Sequence, residues 1–83
     1  MAAFDKLVQR IINMDKNLRF EDIAKVLKRF GYIMGKPGRG GSHRIFRKQG
    51  RDSESIPEKS PVKRKYVESV RAIVLYEMGI KED

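Results

Sequence analysis

The sequence predicts an α+β domain, a three-stranded antiparallel sheet with helices packed on one face, in the order α-α-β-β-β-α. Apolar residues recur at helical spacing in two N-terminal stretches and one C-terminal stretch. Short β-favouring runs separated by Gly- and Pro-rich turns lie between them, and no internal repeat or long linker divides the 83 residues. A chain this short buries only about 60 to 65% of its unfolded surface. A single domain spanning residues 1–83 is therefore expected, with function on a surface or in a shallow cleft.

Phe4, Leu7, Val8, Ile11 and Ile12 form one stripe, which predicts a first helix from Ala3 to Met14 ending at the polar break Asp15-Lys16-Asn17. This helix is read as an N-terminal addition (residues 1–16) to a core of residues 17–80. Phe20, Ile23, Ala24, Leu27 and Phe30 repeat the spacing, with Glu21 and Asp22 in the first turn and Lys28 and Arg29 in the last, as the macrodipole favours. Gly31 suits the left-handed residue after that helix, and Tyr32 supplies the accompanying apolar contact.

Tyr32-Ile33-Met34 reads as a strand, Lys36-Pro37-Gly38-Arg39-Gly40-Gly41 as a hairpin loop, and Ser42 to Lys48 as the second strand. Gln49-Gly50-Arg51-Asp52 is a further turn, and Ser53 to Ile56 a short third strand ended by Pro57. Ser60-Pro61 fits the N-cap and first position of the last helix, which continues through Val62, Tyr66, Val67, Val70, Ile73, Val74 and Met78. Gly79-Ile80 closes it, and Lys81-Glu82-Asp83 is a tail.

Lysine and arginine number 19 against 11 acids, a net charge of +8. From Gly35 to Arg51 there are six basic residues (Lys36, Arg39, Arg44, Arg47, Lys48, Arg51) and no acid. Solubility needs no such segregation, whereas phosphate neutralisation on a nucleic acid does. The absence of cysteine excludes a disulfide framework, a thiolate zinc site and a thiol nucleophile. Met1-Ala2-Ala3-Phe4 leads straight into a charged amphipathic pattern, and no run approaches the roughly 18 to 20 apolar residues of a membrane span. A cytoplasmic protein is expected.

His43 is the one histidine, and it lies in this acid-free segment. RNA cleavage needs one group to take the 2′-hydroxyl proton and another to protonate the leaving 5′-oxygen, and an imidazole can do either without a metal. A lone histidine chosen blindly is more often a polar surface group. Here, however, glycines allow a backbone to approach closely and arginines can bind phosphate. One histidine without cysteines or a nearby carboxylate cluster makes a poor metal site. A Ser42–His43 triad is disfavoured because adjacent strand residues point to opposite faces. The loop lacks the Gly-Lys-Ser/Thr ending of a nucleotide-binding loop.

Lys59, Lys63, Arg64 and Lys65 crowd the start of the last helix, where positive charge opposes the macrodipole and points to an external anion. Phe4, Phe20, Phe30, Phe46 and Tyr66 are assigned to the core, leaving no clear base-stacking platform, so recognition of backbone and phosphate is expected. Lys59, Tyr32 or water remain open as the acid that would partner His43.

The helix ending Lys28-Arg29-Phe30-Gly31-Tyr32, the strand Gly41-Ser42-His43-Arg44-Ile45-Phe46-Arg47, the short strand after it and the basic last helix resemble the HicA family, toxins of bacterial type II toxin–antitoxin pairs. The resemblance spans Arg19 to Ile80. It implies a double-stranded-RNA-binding-domain-like fold and a ribosome-independent ribonuclease acting on messenger RNA. His43 would be its catalytic residue, and an acidic HicB-type antitoxin would mask this face. Many relatives carry a second histidine where this chain has Arg44, and its glycine-rich turn is longer than theirs.

The expected site therefore comprises His43 as catalytic acid or base and Arg39, Gly41, Ser42, Arg44, Arg47, Lys48, Lys59, Lys63, Arg64 and Lys65 as RNA contacts. No cofactor, metal or membrane is expected. Two rivals stand beside it: a non-catalytic module binding double-stranded RNA by shape, and an interaction protein whose basic face receives an acidic partner.

Overall fold

The computed structural model describes residues 2–36 and 43–79. The elements run α1 (Ala2–Ile12), α2 (Phe20–Arg29), β1 (Ile33–Met34), β2 (His43–Arg47), β3 (Glu54–Pro57) and α3 (Arg64–Glu77). This is an α+β fold of three helices and one antiparallel sheet, in strand order β1-β2-β3. All of the expected Lys36–Gly41 hairpin loop except Lys36, together with Ser42, expected as the first residue of the second strand, and the closing Ile80 and tail lie outside the described residues.

The first two helices end through the same backbone device. After α2, Gly31 takes φ +98° while its N–H reaches the Lys28 carbonyl (3.0 Å) and the Tyr32 N–H reaches Leu27 (3.0 Å). This is the expected left-handed cap, and Tyr32 follows it into the core, only 3% exposed. After α1 the same pair of bonds forms, Met14 to Ile11 (3.0 Å) and Asp15 to Arg10 (2.9 Å), with Met14 itself at φ +58°. The first helix thus stops at Ile12 instead of Met14, because Met14 occupies the left-handed position where glycine is usual.

The first helix is part of the common core. Val8 and Ile11 are buried together with residues of α2 and α3, and Arg71 Nε of α3 donates to the terminal Ile12 carbonyl at 2.8 Å. That bond satisfies an orphan carbonyl and places a cation at the negative end of α1.

The last helix begins at Arg64, with Lys63 as its cap residue, and not at Ser60-Pro61. The Ser60 hydroxyl is used elsewhere: its Oγ accepts the Phe20 N–H at 3.1 Å, across 40 residues of sequence. The Val62 N–H donates to the Leu18 carbonyl at 2.8 Å. Residues 60–62 are therefore tied to the entry of α2, and the helix does not begin until after Lys63. They also complete that entry, where the N-cap is an arginine and cannot accept a bond, while Asp22 Oδ2 accepts the Arg19 N–H at 3.0 Å.

In the sheet, β2 is central. Its pairing with β1 sets Ile33 opposite Arg47 and Met34 opposite Phe46, and its pairing with β3 sets His43 opposite Pro57 and Arg44 opposite Ile56. Alternation then divides β2. Arg44 and Phe46 point toward the helices, and His43, Ile45 and Arg47 point away. Phe46 and Ile56 are fully buried, and the Phe46 ring lies 6.1 Å from that of Phe20. Pro57 is the last residue of β3 and not merely its terminator, which an edge strand tolerates because proline lacks only the outward N–H.

Candidate nucleic-acid interface

The first residue of β2, His43, sits opposite Pro57, the last residue of β3. From Pro57 the chain crosses the end of the sheet and enters α3 at Arg64. This crossing brings the first turn of α3 beside His43, although the two are 21 or more positions apart. A hollow of about 240 Å³ forms at the junction, lined by His43, Pro57, Lys59, Val62, Lys63, Lys65 and Tyr66.

His43 and the three lysines are exposed, Pro57 and Tyr66 are half-buried, and Val62 is buried. The floor is thus apolar and the rim cationic. No acid lines the hollow. Among the described residues, Lys59, Lys63 and Lys65 make no ion pair, and Lys65 Nζ lies over the Tyr66 ring at 5.1 Å from its centroid. The first turn of α3 adds no acid and no side-chain cap, so its free N–H groups and positive dipole end reinforce the same sign of charge.

Of the expected contacts, Lys59, Lys63 and Lys65 join His43. Arg44 does not. It lies on the helix-facing pleat, with Nη1 donating to the Gly35 carbonyl at 3.2 Å and Nε held 3.0 Å from Glu58 Oε1. That pairing rests on charge, since Nε forms no aligned hydrogen bond. Arg47 shares the outward pleat with His43 but lines a separate depression with Ile33, Gly35, Lys36 and Ile45. Arg64 turns toward Met14 and Asp15 and pairs with Glu68 at 3.6 Å. Arg39, Gly41 and Ser42 lie outside the described residues.

Lys48 stands at the opposite end of the sheet, where Nζ meets Glu77 Oε2 at 2.7 Å and lies over the Tyr32 ring. Tyr32 is buried there and lines a hollow with Arg51, Asp52, Glu54 and Ser69. Of the two side chains considered as acids to partner His43, Lys59 lines its hollow and Tyr32 does not. Arg51 stacks at 3.8 Å on the exposed Tyr76 ring, and its pKa is raised chiefly by a hydrogen bond with Tyr32.

Sequence reasoning missed Tyr66. It packs against the core as expected, yet it also forms part of the wall beside His43. Helical spacing identified its inward side. The only available signal for the rest was its place among Lys63, Arg64 and Lys65, at the end of α3 that meets the sheet.

Among the described residues, no three or more His, Asp or Glu side chains gather as metal ligands, and no helix is long and apolar enough to cross a membrane. Comparison with protein-family models, with curated proteins and with solved structures found no match to this chain.

Proposed function

We propose that this chain is a metal-independent endoribonuclease of the HicA kind, a messenger-RNA-cleaving toxin on a double-stranded-RNA-binding-domain-like fold, acting in the cytoplasm. The observation that carries the reading is that exposed His43 lines a hollow rimmed by three lysines and no acid. The Gly41-Ser42-His43 resemblance supports the same conclusion independently.

In the reaction, the ribose 2′-oxygen attacks the adjacent phosphorus as its proton is removed, the P–O5′ bond breaks, and the 5′-oxygen takes up a proton. The products are a 2′,3′-cyclic phosphate and a 5′-hydroxyl. His43 serves as general base or acid, a role typically worth about 10²- to 10⁴-fold in rate. Lys59, Lys63 and Lys65 hold the phosphate and stabilise the charge that builds on its oxygens in the transition state. Lys59 or a water supplies the second proton transfer. An acidic HicB-type antitoxin would silence the enzyme by covering the same cations.

The deciding experiment incubates purified wild-type protein and His43→Ala with RNA in the presence of EDTA. Cleavage by the wild type, reduced about 10²-fold or more in the variant, supports the proposal. Equal degradation by both proteins removes it. RNA binding with no cleavage by either would leave a binding module.

A further inference from the structure

The hollow beside His43 has a feature that phosphate chemistry alone does not use. Pro57, Val62 and Tyr66 give it apolar surface beneath the lysine rim. A phosphate would be held by the rim and has no use for an aromatic wall. A nucleobase is flat and apolar on its faces, and it gains by stacking on such a ring whatever its sequence. The volume, about 240 Å³, lies below the roughly 300 to 1,000 Å³ of clefts that take whole drug-sized ligands. A hollow of this size has room for one base.

We infer that Tyr66 is a base-stacking residue, and that this hollow takes one unstacked nucleotide of single-stranded RNA with its phosphate on Lys59, Lys63 and Lys65. The inference rests on RNA being the ligand proposed above. In an A-form duplex each base is stacked between its neighbours and shows only its edges, so it cannot reach the ring without being extruded. Single strands, loops and bulges carry no such cost. The substrate is therefore discriminated by strand state, and a duplex bound by shape is disfavoured at this site.

Lys65 lies 5.1 Å from the Tyr66 ring centroid. A cation–π contact at an exposed lysine is weaker than base stacking, so an incoming base displaces it. The freed ammonium remains beside the nucleotide, where the phosphate attracts it.

The test uses a short RNA carrying one 2-aminopurine and 2′-O-methyl riboses throughout. It cannot be cut by 2′-oxygen attack, and binding is read whether or not the protein is a ribonuclease. Wild type, Tyr66→Phe and Tyr66→Leu are titrated with the single strand and with its duplex, and each protein's melting temperature is measured alongside. Tighter binding of the single strand by wild type, retained in Tyr66→Phe and weakened roughly 5- to 150-fold in Tyr66→Leu, is expected. Duplex binding equal to or tighter than single-strand binding by wild type overturns the inference. So does an unchanged affinity in folded Tyr66→Leu. If Tyr66→Leu does not fold, the strand preference and Tyr66→Phe, both measured on folded protein, still decide. Failure of the ribonuclease reading would show separately, as cleavage of unmodified RNA that His43→Ala does not reduce.

Discussion

Both ends of the sheet carry cations and use them differently. At the His43 end, Lys59, Lys63 and Lys65 surround a hollow that no acid lines. At the other end, Lys48 is locked to Glu77, Arg51 lies on Tyr76, and the hollow beside them contains Asp52 and Glu54. Positive charge in a small domain is therefore not by itself a binding surface. What distinguishes the first end is that, among the described residues, Lys59, Lys63 and Lys65 pair with no acid, which leaves their field available to an outside anion.

Charge reversal tests this contrast most strongly. The combined substitutions Lys59→Glu, Lys63→Glu and Lys65→Glu should weaken RNA binding on the order of 100-fold at low salt. They should also flatten the dependence of log K on log salt by about 0.7 per lysine. The fold should survive, because all three lysines are exposed and acids at Lys63 and Lys65 suit the dipole of α3. Filter binding across a salt series, with circular dichroism on each protein, measures both.

At the opposite end Lys48→Met should do the reverse. Glu77 would lose its cation while remaining only 14% exposed at the side chain, a loss of about 1 to 3 kcal/mol of stability by denaturant titration. RNA affinity should not change. A large drop in affinity without loss of stability would erase the contrast between the ends.

Ser60→Ala acts on the segment that joins them. It removes the acceptor for the Phe20 N–H at the start of α2, and about 1 kcal/mol is expected from the loss of such a cap. In a domain this small that lowers the melting temperature by roughly 4 to 8 °C.

The smallest effect belongs to Glu54, whose pKa is raised by burial first and by the nearby Asp52 second. A raised carboxyl pKa means that the folded state favours the protonated form. Its stabilising contribution is full below the unfolded value of about 4.3 and is lost as the pH rises through the folded value. Glu54→Gln should therefore melt slightly higher than wild type at pH 7 and at the same temperature at pH 3.

Much of the fold was legible because its signals are local. Gly31 marked the end of α2 by the left-handed backbone it permits, and the Phe20-to-Phe30 spacing marked the buried side. Where the residue type misleads, the reading failed. Met14 does a glycine's work after α1, so the polar break at Asp15 announced the stop two residues too late. Ser60-Pro61 has the composition of a helix start, yet its hydroxyl serves another helix.

The candidate site divides in the same way. The placement of His43 on the second strand and the lysines at the start of the last helix could be read along the chain. Arg44 and Lys48 could not be sorted from Arg47 by charge alone. The pleat turns Arg44 toward the helices, and Lys48 is taken by Glu77, 29 residues away.

Periodicity, turn chemistry and net charge are properties of neighbouring residues, so element order, core faces and an excess of positive charge are already written in the chain. Which cations are neutralised and which share a hollow with His43 depends on distances between residues far apart in sequence. Those distances are set only when the chain crosses the end of the sheet and brings Lys59, Lys63, Lys65 and Tyr66 to His43.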